Sequence, residues 1–333
     1  MKKYTIFVVI VVIVLVGFLA INFYKKRSIQ PDQLVDVSLR LKWFVNPSYV
    51  GEIAAKELGF YKKNGLNVTI NPGGPDLNSV RLVASGADLI GSTSFEEVIL
   101  ARAKGIPVVA IGAEFKDNPS CWISLKDSGL DKFEKFSGKT VGVAYGDNTE
   151  VLYKAILDKL GMLKANINEE PFRFTFAPLL ERKVDVMPAY LNDQVITLEN
   201  QGNQLNVVCA KDYGFNPYGN VYIVTEQTIK EKPEILVEFL KGSIEGWKYV
   251  QKNTEQSIPL LLTAMQNSLE SKSALDSVRA TLDLMNLDKE TIFLMDRQRI
   301  EDTQDLLLKF GDLKQKIDIA AAFTNEFLNK SLK

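Results

Sequence analysis

The 333-residue chain has no histidine. That absence excludes Ser-His-Asp and Cys-His catalysis, histidine-ligated zinc and a histidine pH switch. Cysteine is nearly absent as well. Cys121 and Cys209 stand alone without a CxxC spacing, so they cannot build a zinc or iron–sulfur site by themselves. Two small buried hydrophobes are the favoured reading, ahead of a disulfide. No metal site and no cofactor is expected. Positive charge is scarce outside the N-terminus. Residues 1–27 carry five of the 40 basic residues and no acid, leaving 35 against 41 and a net charge of −6 for the rest. A nucleic-acid partner would want the opposite sign.

What is present begins with a long apolar run, TIFVVIVVIVLVGFLAI at residues 5–21, flanked by Lys2-Lys3 and Lys25-Lys26-Arg27. With Asn22-Phe23-Tyr24 it approaches the ~20 residues that cross a bilayer as a helix. Residues 1–27 are read as a signal anchor or signal peptide, and retention is favoured over cleavage. A cut after Ala20 would place Phe18 where a small side chain is wanted. Basic residues on both flanks leave the orientation open. No cysteine follows the run to take a lipid. The remainder is expected outside the cytoplasm, periplasmic or cell-surface, held by residues 5–24. That oxidising setting keeps a disulfide open as the second reading. Residues 28–36 read as a polar linker.

The chain then organises around Leu39 to Gly74. Leu39, Leu41 and Trp43 alternate with Arg40 and Lys42 as in a half-buried strand. Asn46-Pro47 opens a helix, with Asn capping free N–H groups and Pro fitting the first turn. Tyr49, Ile53 and Leu58 form its apolar side, Gly59 stops it, and Leu66, Val68 and Ile70 make a second strand. In such a βαβ unit ligands gather where the strand ends and the helix begins. Further on, Ala87–Gly91 and Ile106–Gly112 read as strands around a helix capped by Ser94, with Glu97 completing a capping box. Cys121–Leu125 crosses to a second domain, where Lys139–Tyr145 is a strand and Asp147 with Glu150 opens a helix. VDVMPAYLNDQ echoes GADLIGSTSFEEV, with Asp88 and Asp185 spaced by 97 residues, as are Gly105 and Gly202. Two facing α/β domains of one design are expected, with Asn220–Thr225 returning the chain to the first and the helices after Lys232 packing on it.

The order of these pieces resembles the NMT1/THI5-type substrate-binding proteins of ABC importers. The likeness runs through WFVN, GFYKKNGLNV, SVRLVASGADLIGSTSFEEVILARAKGIPVVAI, FSGKTVGVAYGDNTEVLYKAIL, VDVMPAYLNDQ and PEILVEFLKGSIEGWKYV, covering most of residues 38–260. It implies a periplasmic-binding-protein-like type II fold, an α/β fold of two lobes joined by a hinge. Lobe 1 would hold residues 37–121 and 222–333, and lobe 2 residues 122–221. The resemblance also implies binding without chemistry. A fungal branch of the family makes the thiamine pyrimidine by consuming its own histidine and using a cysteine-rich motif, and this chain has neither.

The candidate ligand-binding residues lie on the expected lips of the cleft. Trp43 is placed to stack on a flat ligand, with core packing as its alternative. Asn46 and Tyr49 follow it, each with a plain capping or packing role beside the functional one. Ser92, Thr93 and Ser94 offer hydroxyls at a helix start, and Glu96 offers a carboxylate that the helix dipole alone would explain. Trp122 and Tyr218 sit at the two presumed hinge crossings. Tyr145, Asp147, Asn148 and Thr149 form the facing lip. Tyr190 and Asn192 occupy positions that line the pocket in the resembling family, which more often has Trp at Met187 and Glu at Asp193. Taken together the lips are rich in aromatics and acids and poor in lysine and arginine. A flat, amine-bearing heterocycle is therefore expected, and the resemblance implies a thiamine-precursor pyrimidine ahead of riboflavin, sulfonate or nitrate. The expected partner is an ABC permease. The rival reading is a sensing module that signals to another membrane protein.

Overall fold

The computed structural model describes residues 34–162 and 166–333, so the apolar run at 5–21 and residues 28–33 of the linker lie outside it. Among the described residues no helix is long and apolar enough to cross a membrane. The described residues hold ten strands: β1 Val35–Arg40, β2 Leu66–Asn71, β3 Ile90–Thr93, β4 Val108–Ala113, β5 Ser120–Leu125, β6 Thr140–Val143, β7 Asn168–Pro171, β8 Met187–Tyr190, β9 Leu205–Cys209 and β10 Val221–Thr225.

The first sheet has the order β2-β1-β3-β10-β4, with β10 antiparallel to both neighbours. A second sheet, β8-β5-β9, has β5 antiparallel to both neighbours. The parallel pair β6-β7 continues it, because Val141 bridges Val186 just before β8 and Gly142 N–H donates to the Val186 carbonyl at 2.8 Å. The resulting order β7-β6-β8-β5-β9 repeats that of the first sheet. The 97-residue echo carries over into structure. Ile90 and Met187 open matching strands, and Gly105 and Gly202 stop the following helices at φ 79° and 91°.

Differences from the sequence reading have local causes. β1 begins at Val35, inside the stretch read as linker, and ends at Arg40 rather than Trp43. After Leu41 the backbone of Gly73 closes over the chain, so near that a Cβ there would lie 2.2 Å from the Leu41 carbonyl oxygen. Trp43 is turned out of the sheet and its carbonyl accepts from Gly73 N–H at 2.9 Å. β3 begins at Ile90, three residues late, because Asp88 is held beside it by Arg40 (2.7 Å) and Asn71 (2.8 Å). Neither expected capping box is reciprocal: Glu97 bonds Thr93 Oγ1, and Glu150 accepts from Gly146 N–H at 2.7 Å.

Cys121 and Cys209 are joined in a disulfide, which corrects the reading of two free thiols. They lie directly opposite each other in the β5–β9 register with Cα atoms 3.9 Å apart, a relationship that a sequence separation of 88 conceals. The C-terminal helices do more than cover the first sheet. The helix Pro233–Lys252 packs there, with Trp247 buried against Gly51 and its Nε1 donating to Glu52 at 2.9 Å. The helix Ser271–Met285 instead reaches the second sheet's side through Thr281, bonded to Asn192 at 2.9 Å. The helix Arg297–Phe310 lends Leu306 to the second core.

Candidate functional site

A cavity of about 330 Å³ opens between the two sheets, where the ends of β1 and β8 face each other. Asn46 caps the short helical turn Pro47–Tyr49 by accepting from Ser48 N–H at 2.9 Å. Its amide then donates across the cleft to Asp193 at 3.1 Å. Asp193 and Gln194 lie in a wide π-type turn, Leu191–Val195, directly after β8. Gln194 steadies that turn by accepting from Tyr190 N–H at 2.8 Å and donating to Asp193 at 2.9 Å. Burial pushes the Asp193 carboxyl up to about 6, against the lowering effect of Asn46.

Lys42 is the hub of the polar end. Its ammonium donates to the Tyr190 hydroxyl at 3.0 Å, to the Gly219 carbonyl at 3.4 Å and to Asn148 Oδ1 at 3.5 Å. Burial works against this cation, yet the Tyr190 oxygen, Asp147 and Glu97 outweigh it and hold Lys42 above the ordinary lysine range. Burial also raises the Tyr190 phenol, against the pull of Lys42. At neutral pH the pair is thus an ammonium donating to a neutral phenol oxygen. Nearby, burial lifts the Glu96 carboxyl to about 7, with Lys42 opposing, and neither of its oxygens has a hydrogen-bond partner among the described residues.

The other walls are aromatic. Trp43 lies 5.3 Å from Phe44 and 5.2 Å from Phe174, centroid to centroid, so it meets a ring from the opposite side of the cleft. Phe172 continues the series, 5.2 Å from Phe174 and 5.4 Å from Phe176. These separations suit edge and offset contacts with an added ring.

The structure places Trp43, Asn46, Tyr49, Asp147, Thr149 and Tyr190 on the cavity wall, and Asn148 behind it through Lys42. Several other candidates point elsewhere. Ser92 donates to Glu114 at 2.5 Å, Thr93 binds Glu97, and Ser94 caps its helix, all three fully buried. Glu96 is buried behind the wall, and Asn192 is spent on Ser48 and Thr281, each at 2.9 Å. Trp122 is a core residue, 4.8 Å from the Phe133 ring, and not a cleft residue. Tyr218 is buried under Arg299 and accepts from Asp296 N–H at 2.9 Å. Tyr145 is exposed and donates to Glu169 at 2.9 Å, outside the cavity. Lys42, Asn220, Gln194 and the three phenylalanines 172, 174 and 176 line the cavity without having been anticipated. Lys42 corrects the expectation of lips poor in cations. Its alternation in a strand marked it as solvent-facing, but that face of the β1 end is the cleft.

Residues 46–257 match the family described as NMT1/THI5 like. The formylaminopyrimidine-binding protein of Halalkalibacterium halodurans is 24% identical over 239 residues, covering 70% of this chain and 71% of its own. The riboflavin-binding protein RibY of Chloroflexus aurantiacus is 25% identical over 305 residues, 89% of this chain and 86% of its own. A 4-amino-5-hydroxymethyl-2-methylpyrimidine phosphate synthase of Legionella pneumophila is 26% identical, covering 68% of this chain and 73% of its own. Among solved structures, the periplasmic aliphatic sulphonate binding protein SsuA of Escherichia coli superposes with a TM-score of 0.67 at 17% identity, covering 86% of this chain and 91% of that one. At that identity the likeness establishes the α/β periplasmic-binding-protein fold.

Proposed function

We infer the function from one fixed point: the chain belongs to the NMT1/THI5-like family. It serves as the extracytoplasmic substrate-binding protein of an ABC importer. It captures a small aromatic heterocycle, a thiamine-precursor pyrimidine, in the cleft between its two sheets. Closure of two hinged lobes sequesters the ligand and gives a permease a shape to distinguish. In this reading residues 37–121 and 222–333 form one lobe and 122–221 the other, and the N-terminal run tethers them to the membrane.

The observation that carries the reading is the cavity itself, with aromatic walls, the Asp193 carboxylate on one side and Lys42 on the other. A volume of about 330 Å³ lies within the range of small-molecule sites, about 300–1,000 Å³. The named relatives support the same class, one as a formylaminopyrimidine-binding protein and one as a riboflavin-binding protein. Other relatives are named as synthases, but the absence of histidine closes the route in which the protein consumes its own. The reading is therefore one of binding without chemistry.

Trp43 is the one of the three tryptophans that lines the cavity, since Trp122 and Trp247 are buried in the two cores. Full-length protein titrated with aminopyrimidine should show quenched tryptophan emission and a raised Tm, and Trp43→Phe should remove the quench while keeping the Tm shift. Absence of both signals across aminopyrimidine, thiamine and riboflavin would remove the reading. A response to riboflavin alone would replace the ligand.

A further inference from the structure

Phe172, Phe174 and Phe176 share one wall of the cavity without sharing one role. Phe172 and Phe176 pack on the core around Ile123, Leu179 and Val195, whereas Phe174 belongs to no core. The segment is pinned at both ends. Phe172 N–H donates to the Val143 carbonyl at 2.8 Å, and the Phe176 carbonyl accepts from Leu179 N–H at 3.0 Å. Between these points neither the N–H nor the carbonyl of Phe174 has a hydrogen-bond partner among the described residues. Its φ is 55°, in the left-handed region that a bulky residue rarely adopts and that tends to mark functional positions. The residue lines the cavity and is 52% exposed, with surface left for a ligand to cover.

That loosely held ring nevertheless reaches across the cleft. It lies 5.2 Å from Trp43 with the two planes tilted by 46°, and Phe44 flanks Trp43 on its own side at 5.3 Å. A single aromatic contact already takes about 4.5–7 Å between centroids. The gap between Trp43 and Phe174 therefore holds one contact and not two. A flat ligand that stacks on Trp43 from this side must displace Phe174, and then comes to rest against it. The absent backbone bonds and the strained φ favour that displacement.

We propose that Phe174 is the gate of the cavity and its second stacking residue. It covers Trp43 in the empty protein and clasps a flat ring against Trp43 in the loaded one. The choice of a planar ligand is then made from both sides of the cleft, by one ring on each. This rests on the heterocycle reading above and deepens it by assigning the ring that opposes Trp43.

The test follows tryptophan emission by stopped flow, mixing full-length protein with 4-amino-5-hydroxymethyl-2-methylpyrimidine. Gate and clasp separate kinetically. The Trp43–Phe174 contact exists only in the empty protein, so its loss raises the on-rate. A contact with bound ligand governs the off-rate instead. Phe174→Asn removes the ring and leaves a residue that tolerates the left-handed backbone. Its off-rate should rise about two- to tenfold, the worth of one aromatic pair, and its on-rate should rise as well. Phe174→Tyr should keep both rates near those of the wild type. Ligand-free Phe174→Asn should melt close to the wild type, because the lost ring joins no core. Either rate unchanged in Phe174→Asn, or a steep fall in its ligand-free Tm, overturns the inference while leaving the heterocycle reading intact. Failure of the wild type to bind the probe overturns both.

Discussion

Lys42 Nζ lies 3.0 Å from the Tyr190 hydroxyl, joining the end of β1 in one sheet to the end of β8 in the other. Both residues also line the cavity, so one contact ties cleft geometry to ligand access. Three further bonds cross nearby, Lys42 to Asn148 at 3.5 Å, Asn46 to Asp193 at 3.1 Å and Asn192 to Ser48 at 2.9 Å. The lysine is the one charged donor among them.

Replacing Lys42 by Met keeps the stem and deletes the charge. A hydrogen bond from a charged group contributes ~1.5–3 kcal/mol, so ligand affinity should fall about tenfold or more. Tyr190→Phe should fall less, since it removes only the neutral partner. Calorimetric titration measures both, and small-angle scattering should report a wider average opening for Lys42→Met. Affinity and dimensions both equal to the wild type would show that the contact is incidental.

A second prediction concerns pH. Burial raises the Glu96 carboxyl to about 7 in the folded protein, from an ordinary value of 4.5. The folded state therefore binds a proton more tightly than the unfolded one, and stability is lost as pH climbs from about 4.5 through 7. Asp193, raised to about 6 from 3.8, adds loss of the same sign slightly lower. Glu96→Gln imitates the protonated form. It should gain at most on the order of 3 kcal/mol at pH 8 and nothing at pH 4. Chemical denaturation at the two pH values decides it, and a variant no more stable at pH 8 would refute the account.

Much of the frame was legible because it follows local rules. The Asn46-Pro47 cap, the stops at Gly59, Gly105 and Gly161, and the return strand near Asn220 all depend on backbone chemistry within a few residues. The cavity walls were less legible, because a strand shows two faces and sequence does not say which one meets the cleft. Trp122 and Tyr218 stand at the two crossings between the sheets, yet their side chains enter cores. Lys42 has the opposite history, a polar alternation residue whose face is the cleft. Phe172, Phe174 and Phe176 recur at every second position, and that spacing was the available sign of a continuous wall.

The disulfide offers the third prediction, and it also explains why pairing escaped a reading based on spacing. Cys121 and Cys209 are 88 residues apart in sequence and become neighbours only through the antiparallel register of β5 with β9. A bond closing so long a loop chiefly restricts the unfolded chain, and its loss typically costs about 2–4 kcal/mol. The double substitution Cys121→Ser, Cys209→Ser should therefore lower Tm by several degrees, and treating the wild type with reductant should lower it similarly. Ligand affinity should change little, since neither cysteine lines the cavity. If reductant leaves the Tm of the wild type unmoved while the double variant also melts normally, the thiols are free in the native protein. A large loss of affinity alongside the Tm shift would mean instead that β5 transmits the bond to the cleft through Trp122 and the core around it.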